Sequence, residues 1–362
     1  NIMTGNPVTN NTSTNVMHKV MAKCGSIPYL LDKVQYGTWR RVTNKDEPTL
    51  FLAIDVSHPG MEERKEAEFK KYGASKKGVK PTNPPPRAPL DRKKAYEEFS
   101  FADCPRSLLA VVGNVDIEAM RYEPSCRVVR LGMEVSVHIK ELFRERIKAF
   151  MLATGRKPAH VIVYRDGVSG GEFQKVGFEE GGALDDALKE LEIEKVTVGI
   201  LCAQKRHHTR FFPKDLRQVV GEHGNLPPGT LLEDPQVVSR TLFDFFLQSH
   251  HGKVGTARPT HYTVLKDTWA PSPAFWQTLA NGHAYGYIRC PFAIALPAPL
   301  QYAHLAAKKA KGHFDAFRNP NRNFAPEEYL DPRHDDFYRE SLEEASVKIH
   351  ENIREIRGMT FV

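Results

Sequence analysis

Cysteine is scarce in this chain of 362 residues, and the five present (Cys24, Cys104, Cys126, Cys202 and Cys290) form no C-x-x-C pair. That spacing argues against a structural zinc site and against a disulfide framework, and it suits a reducing compartment. Long apolar runs are missing too. No stretch approaches the roughly 20 residues that span a bilayer, so the expectation is a soluble protein of the cytoplasm, and also of the nucleus, with no membrane partner. The opening NIMTGNPVTNNTSTN does not start with methionine and holds no apolar core of a secretory signal. It reads as a piece of something longer. Internal repeats are absent.

Positive charge is in excess. Lys and Arg outnumber Asp and Glu by 51 to 44, a net +7, which suggests a polyanionic partner such as nucleic acid and says nothing of fold. Much of the charge sits in residues 60–100, where ERKEAEFKKYGASKKGVKPTNPPPRAPLDRKK offers Lys, Arg, Glu and Pro and almost nothing to build a core. A solvated, disordered insertion is expected there.

Around it the pattern is regular. Residues 11–23 predict a short helix that puts Lys19 and Lys23 on one face. The apolar run 50–54 predicts a buried strand ending at Asp55, followed by strands at SLLAVVGNVD and CRVVRLGM. A helix is expected over about 135–152, where Ile139, Leu142, Phe143, Ile147, Phe150 and Met151 recur at helical spacing. HVIVYRD, ALDDALKELEI and KVTVGILCAQ then read as strand, helix and strand, and LQYAHLAAKKAK as a helix with Pro299 near its first turn. The order implies an α/β domain around a mixed, largely buried sheet.

Two aspartates carry the chemistry. Asp55 and Asp166 each end an apolar run that would be a central strand, and each is followed by a turn signal. A buried carboxylate needs a hydrogen-bonded partner, a raised pKa or a cation. Brought together, the two would repel unless a cation lay between them, and paired ions about 4 Å apart are the usual device for displacement at a phosphodiester. Turn-capping aspartates are the plainer alternative. Residues 167–171, GVSGG, also fit the G-x-S-x-G elbow of a serine hydrolase, with Ser169 as nucleophile, although no HGGG-type loop lies upstream. The histidines of KRHHTRFF and QSHHGKVGTARPTHY lie among Lys205, Arg206, Arg210, Lys253 and Arg258, an interleaving that suits nucleic-acid contacts better than zinc.

In LFLAIDVSHPG, VIVYRDGVSGGEF, KRHHTRFF, GTARPTHYTVL and ALPAPLQYAHLAAKKA, taken in this order, the chain resembles the PIWI domain of eukaryotic Argonaute proteins. The resemblance runs from about residue 11 to the C-terminus and is broken by the basic insertion. It implies residues 1–45 as the junction with a MID domain, residues 46–362 as the PIWI domain, and an RNase H-like mixed β-sheet flanked by helices. It also implies a guide-directed, two-metal endoribonuclease using Mg²⁺, with Mn²⁺ able to substitute. The tetrad falls on Asp55, Glu134, Asp166 and His304, with Asp55, Asp166 and His304 as metal ligands. Guide-phosphate contacts fall on Arg206, His250, Arg258 and Arg289, and the guide 5′ phosphate on Lys19, Lys23 and Lys309. Ala295 and Gln301 replace a serine and a tyrosine that line the guide in the family. The implied partners are a small guide RNA, its complementary target RNA, the MID and PAZ domains of the same protein, and tryptophan-bearing silencing proteins. A guide-binding platform that recruits partners without cutting is the alternative function.

Deleting residues 63–92 should leave the melting temperature nearly unchanged, because a solvated loop contributes little core. A large drop would show that the segment is part of the fold. If its lysines touch RNA, the deletion will also flatten the dependence of RNA affinity on salt.

Overall fold

The apolar run at 50–54 becomes the middle of a sheet. The computed structural model describes residues 10–24, 26–33, 37–58, 107–129, 138–234, 236–239, 241–252, 254–317 and 359. All of the basic stretch at 60–100, together with Glu134, lies outside these residues. The elements in chain order are α1 (Asn10–Lys23), α2 (Gly37–Val42), β1 (Thr49–Ser57), β2 (Ser107–Asn114), β3 (Tyr122–Val129), α3 (Ile139–Thr154) and β4 (His160–Asp166). They continue with α4 (Phe173–Glu190), β5 (Thr197–Gln204), β6 (Thr230–Leu232), β7 (Asp244–Gln248), β8 (Thr260–Asp267), α5 (Pro273–Tyr285) and α6 (Ala298–Phe317). Among the described residues, no helix is long and apolar enough to cross a membrane.

The sheet is mixed, with strand order β3-β2-β1-β4-β5-β8-β7-β6. Its centre is parallel, β1 with β4 and β4 with β5, and the flanking pairs are antiparallel. Alternation along the central strands sorts their side chains onto two covered faces. Leu50, Leu52, Ile54, Val161 and Val163 pack with Leu142, Phe143, Ile147 and Phe150 of α3 and Leu184 and Leu188 of α4. Phe51, Ala53, Ile162 and Tyr164 face the other way, toward Tyr302, Ala303, Ala306, Ala307 and Ala310 of α6. The small residues of α6 let the helix lie close to the strands.

The expected strands and helices are present within a few residues of their predicted bounds. The exception is α4, which starts upstream of the predicted ALDDALKELEI, at Phe173. Its first ten residues include Gly177, Gly181 and Gly182, poor helix formers that hid it. Packing overrides propensity there: a Cβ on Gly181 would sit 3.4 Å from Ile200 Cδ1, so the bare backbone lies against β5. The sequence reading also placed no elements at α2, β6, β7, β8 or α5. The short strands among these are defined by pairing onto β5 and each other, which no local pattern encodes.

Buried at the C-terminal end of α5, His283 joins four elements. Its ring packs edge-on against Trp39 of α2, Phe51 of β1 and Tyr164 of β4. Its Nδ1 lies 2.8 Å from the Tyr164 hydroxyl, and Nε2 has no hydrogen-bond partner. Burial pushes the Tyr164 hydroxyl's pKa well up, so the phenol keeps its proton and shares a hydrogen bond with the ring. Burial also pushes His283 down to about 3. The fold therefore holds the neutral ring. This group's contribution to stability is complete above its ordinary pKa of 6.5 and is lost as pH falls from there toward about 3. Thermal melts should show a destabilisation on acidification through this window, with a limiting slope of about 1.4 kcal/mol per pH unit from this residue. The slope should be shallower in His283→Gln; equal slopes in the two proteins would refute the assignment.

Candidate functional site

Strand register brings the two aspartates together. Ile54 of β1 pairs with Arg165 of β4, so the next residues, Asp55 and Asp166, stand side by side at the ends of neighbouring parallel strands. Both fall on the α6 face of the sheet, continuing the rows Phe51–Ala53 and Ile162–Tyr164. Asp55 is 9% exposed. Helix α6 crosses this face and sets His304 over the pair, with Nδ1 3.2 Å from Asp55 Oδ2. The imidazole is more than half exposed (57%), whereas the carboxylate beneath it is not.

The electrostatics follow from this arrangement. Burial, then the neighbouring Asp55 charge, raises the Asp166 pKa, while Gly167 N–H, Arg165 and His304 pull it back. His304 is raised, first by its bond to Asp55 and then by the charges of Asp55 and Asp166, against a desolvation cost. Asp55, Asp166 and His304 therefore lie within electrostatic reach of one another. Glu134, the remaining tetrad position, falls outside the described residues. Among the described residues, no three His, Cys, Asp or Glu side chains close on a point as a ready-made metal cage.

The turn after Asp166 is a built structure. Gly167 takes φ +77°, which a side chain would resist. Gln204 Nε2 donates to Val168 O, and the Glu172 carboxylate accepts from the Ser169 amide at 3.2 Å and the Ser169 hydroxyl at 2.7 Å. Ser169 is thus committed to a carboxylate at the head of α4, the arrangement of a turn and not of a nucleophile facing a histidine base.

Beside the carboxylates lies a basic band. Arg206 and Arg258 are exposed. Burial, then Arg258, lowers Lys205, and Asp166 raises it again. His250 is pushed down to about 4 by burial and then by Lys205. Lys205 is therefore within electrostatic reach of both Arg258 and Asp166. The sequence does not mark it as a site residue, because the β4–β5 pairing is what sets it one step past the end of β5, beside the end of β4. Arg289 sits apart, with Nη1 3.3 Å from the Tyr287 hydroxyl, on a loop whose backbone is held by the hydroxyls of Tyr29 and Tyr302. Helices α1 and α6 bring Lys23 close enough to lower Lys309, after burial, and Lys19 lies one turn before Lys23.

Two of the clustered histidines have structural partners. His207 Nε2 is 2.8 Å from Pro259 O, and His261 Nε2 is 2.5 Å from Asp244 Oδ2. The first bond ties the KRHH loop to the segment carrying Arg258.

Replacing Asp55 with Asn should lower the His304 pKa, because the strongest interaction holding the proton is removed; Asp166→Asn should lower it less. Proton NMR titration of His304 reads both changes. An unmoved pKa in Asp55→Asn would mean that the pairing is absent in solution.

Comparison with known proteins bears on this geometry. The Piwi domain family model matches residues 2–315. The chain is 35% identical over 304 residues to the Piwi-like protein ergo-1 of Caenorhabditis elegans, covering 83% of this chain and 24% of that protein. It is 33% identical over 308 residues to the putative protein tag-76 of the same organism, covering 83% and 26%. The chain thus spans about a quarter of the length of these relatives. Among solved structures, the C-terminal lobe of a budding yeast Argonaute superposes with a TM-score of 0.65 at 22% identity, over 83% of this chain and 54% of that one. Kluyveromyces polysporus Argonaute with a guide RNA gives 0.65 at 23%, over 84% and 31%. The mixed sheet with its flanking helices is the RNase H-like fold of these Argonaute lobes. With the family model matching most of its length, the chain belongs to the Piwi domain family.

Proposed function

We propose that this chain is the catalytic domain of a guide-directed endoribonuclease of RNA silencing, one that hydrolyses a phosphodiester of a target RNA paired to a small guide RNA. The observation that carries the reading is the in-register placement of Asp55 and Asp166 under His304, beside a band of Lys and Arg. The fold supports it, since a similar chain, Kluyveromyces polysporus Argonaute, was solved with a guide RNA.

The residues present fit Mg²⁺, or Mn²⁺ in its place. Two carboxylates side by side, with Asp166 raised by burial and by the neighbouring Asp55 charge, form a hard, anionic oxygen site, which suits these ions. When bound as a pair, such ions lower the pKa of an attacking water and stabilise the leaving 3′ oxygen. Asp55 and Asp166 would present their carboxylate oxygens from one sheet face, with Glu134 and His304 completing the ligand set. The strands and α6 exclude water from the inner side of this site, and the exposed ring of His304 stands over its outer side. Arg206, His250, Arg258 and Arg289 would contact guide phosphates, and Lys19, Lys23 and Lys309 the guide 5′ phosphate. Base pairing would then supply sequence specificity while the protein reads backbone and duplex shape. MID and PAZ domains of the same protein and tryptophan-bearing partners complete the proposed assembly, acting in the cytoplasm and also in the nucleus.

The full-length protein, loaded with a guide RNA, should cut a matched target in Mg²⁺ and stop in EDTA. Asp55→Ala and Asp166→Ala should each slow cutting by roughly 100-fold or more while guide affinity holds, and Ser169→Ala should cut normally. Unchanged cutting in either aspartate variant would defeat the assignment of the site. Tight guide binding without any cutting by the wild type would make the chain a silencing platform instead.

A further inference from the structure

Arg165 is the least exposed charged side chain next to the site, and it lies on the wrong face to take part in it. Alternation along β4 turns Asp166 toward α6 and Arg165 toward α3 and α4. Its side chain is 1% exposed. Nε donates to Glu180 Oε1 of α4 at 2.8 Å, and the Glu180 side chain is 2% exposed. Nη1 donates to the main-chain carbonyl of Asp166.

Stability does not account for such a pair. Removing two charges from water costs several kcal/mol per ion, and well-packed apolar residues of the same volume commonly serve as well or better. What an apolar pair cannot do is hold a carbonyl. The Asp166 carbonyl and the Gly167 N–H are the two ends of one planar peptide unit. The carbonyl end is held by Arg165, and the N–H end lies close enough to the Asp166 carboxylate to favour its charged form. Fixing the plane from below therefore fixes the direction from which the carboxylate is held above. The plane needs this support because it lies where regular structure stops. The β4–β5 ladder ends at Asp166 opposite Ala203, and Gly167 has already left the strand at φ +77°.

We infer that Arg165 and Glu180 are positioning residues, a buried clamp anchored on α4 that sets the orientation of the Asp166 carboxylate through the Asp166–Gly167 peptide plane. The inference rests on the catalytic reading of Asp166 above. A planar guanidinium reaches Glu180 and the carbonyl at once, whereas a lysine ammonium on a flexible stem is no such fork.

The test uses full-length, guide-loaded protein in four forms: wild type, Arg165→Met/Glu180→Met, Arg165→Lys, and Glu180→Gln, which keeps an acceptor for Nε. Four readouts are taken: melting temperature, guide affinity, single-turnover cutting, and hydrogen exchange at the amides of residues 166–168. The clamp predicts that the double Met variant melts near the wild type and binds guide equally. It should also exchange Gly167 severalfold faster and cut roughly 100-fold more slowly, the cost of a misplacement on the order of 1 Å. Arg165→Lys should fall between, and Glu180→Gln should retain most activity. Should the double variant fail to fold, the two single variants carry the same readouts. Wild-type cutting and Gly167 exchange in the variants would overturn the inference. So would a loss of cutting that follows melting temperature while exchange rises across the whole sheet. A wild type that cuts nothing would instead remove the endonuclease reading, and Gly167 exchange would still decide whether the clamp holds the peptide.

Discussion

Two carboxylates at neighbouring positions of a parallel sheet repel each other, and much of what surrounds them in this protein answers that repulsion. The pairing of Ile54 with Arg165 leaves Asp55 and Asp166 no separation along the strands. Burial adds to the cost, because it weakens solvation of the charged forms. The cationic groups that act on Asp166 reach it from three directions: His304 from α6, Arg165 from beneath the sheet and Lys205 from the end of β5. The site sits at the carboxyl ends of the three parallel strands, where open α/β sheets place their ligands.

The two faces of the sheet divide the work. On one, the alanines of α6 settle the helix against β1 and β2, so that a histidine near its start can overhang the strand ends. On the other, α4 packs so closely that its glycines touch the sheet, which brings Glu180 within reach of Arg165. One alternating strand, β4, thus presents an aspartate to the candidate site and a guanidinium to the scaffold at consecutive positions. Neither could move far without the other, since they share a peptide unit.

Legibility in the sequence varied with the locality of the signal. Asp55 and Asp166 stood out because an acidic residue closing an apolar run is a local anomaly, and both lie where expected. His304 could not be picked from fifteen histidines by spacing and came only from resemblance to a family; the structure sets it 3.2 Å from Asp55. Lys205 was hidden among other basic residues, since only the arrangement of β4, β5 and the Arg258 segment makes it adjacent to Asp166. His207 and His261 suggested phosphate or metal contacts, yet their ring nitrogens face Pro259 and Asp244. The first half of α4 was missed because propensity argued against it and packing against β5 prevailed.

The sequence by itself determined the central strands, α3, the basic balance and the two aspartates, because hydrophobic periodicity and a misplaced charge are read within a dozen residues. It also marked Gly167 to Gly171 as a turn. Tertiary structure alone decided that Ser169 faces Glu172, that Lys205 belongs to the site and that Arg165 turns away from it toward Glu180. Those outcomes depend on strand register and on which helix covers which face. A shift of one residue in that register would exchange the faces of Arg165 and Asp166 and dismantle the site.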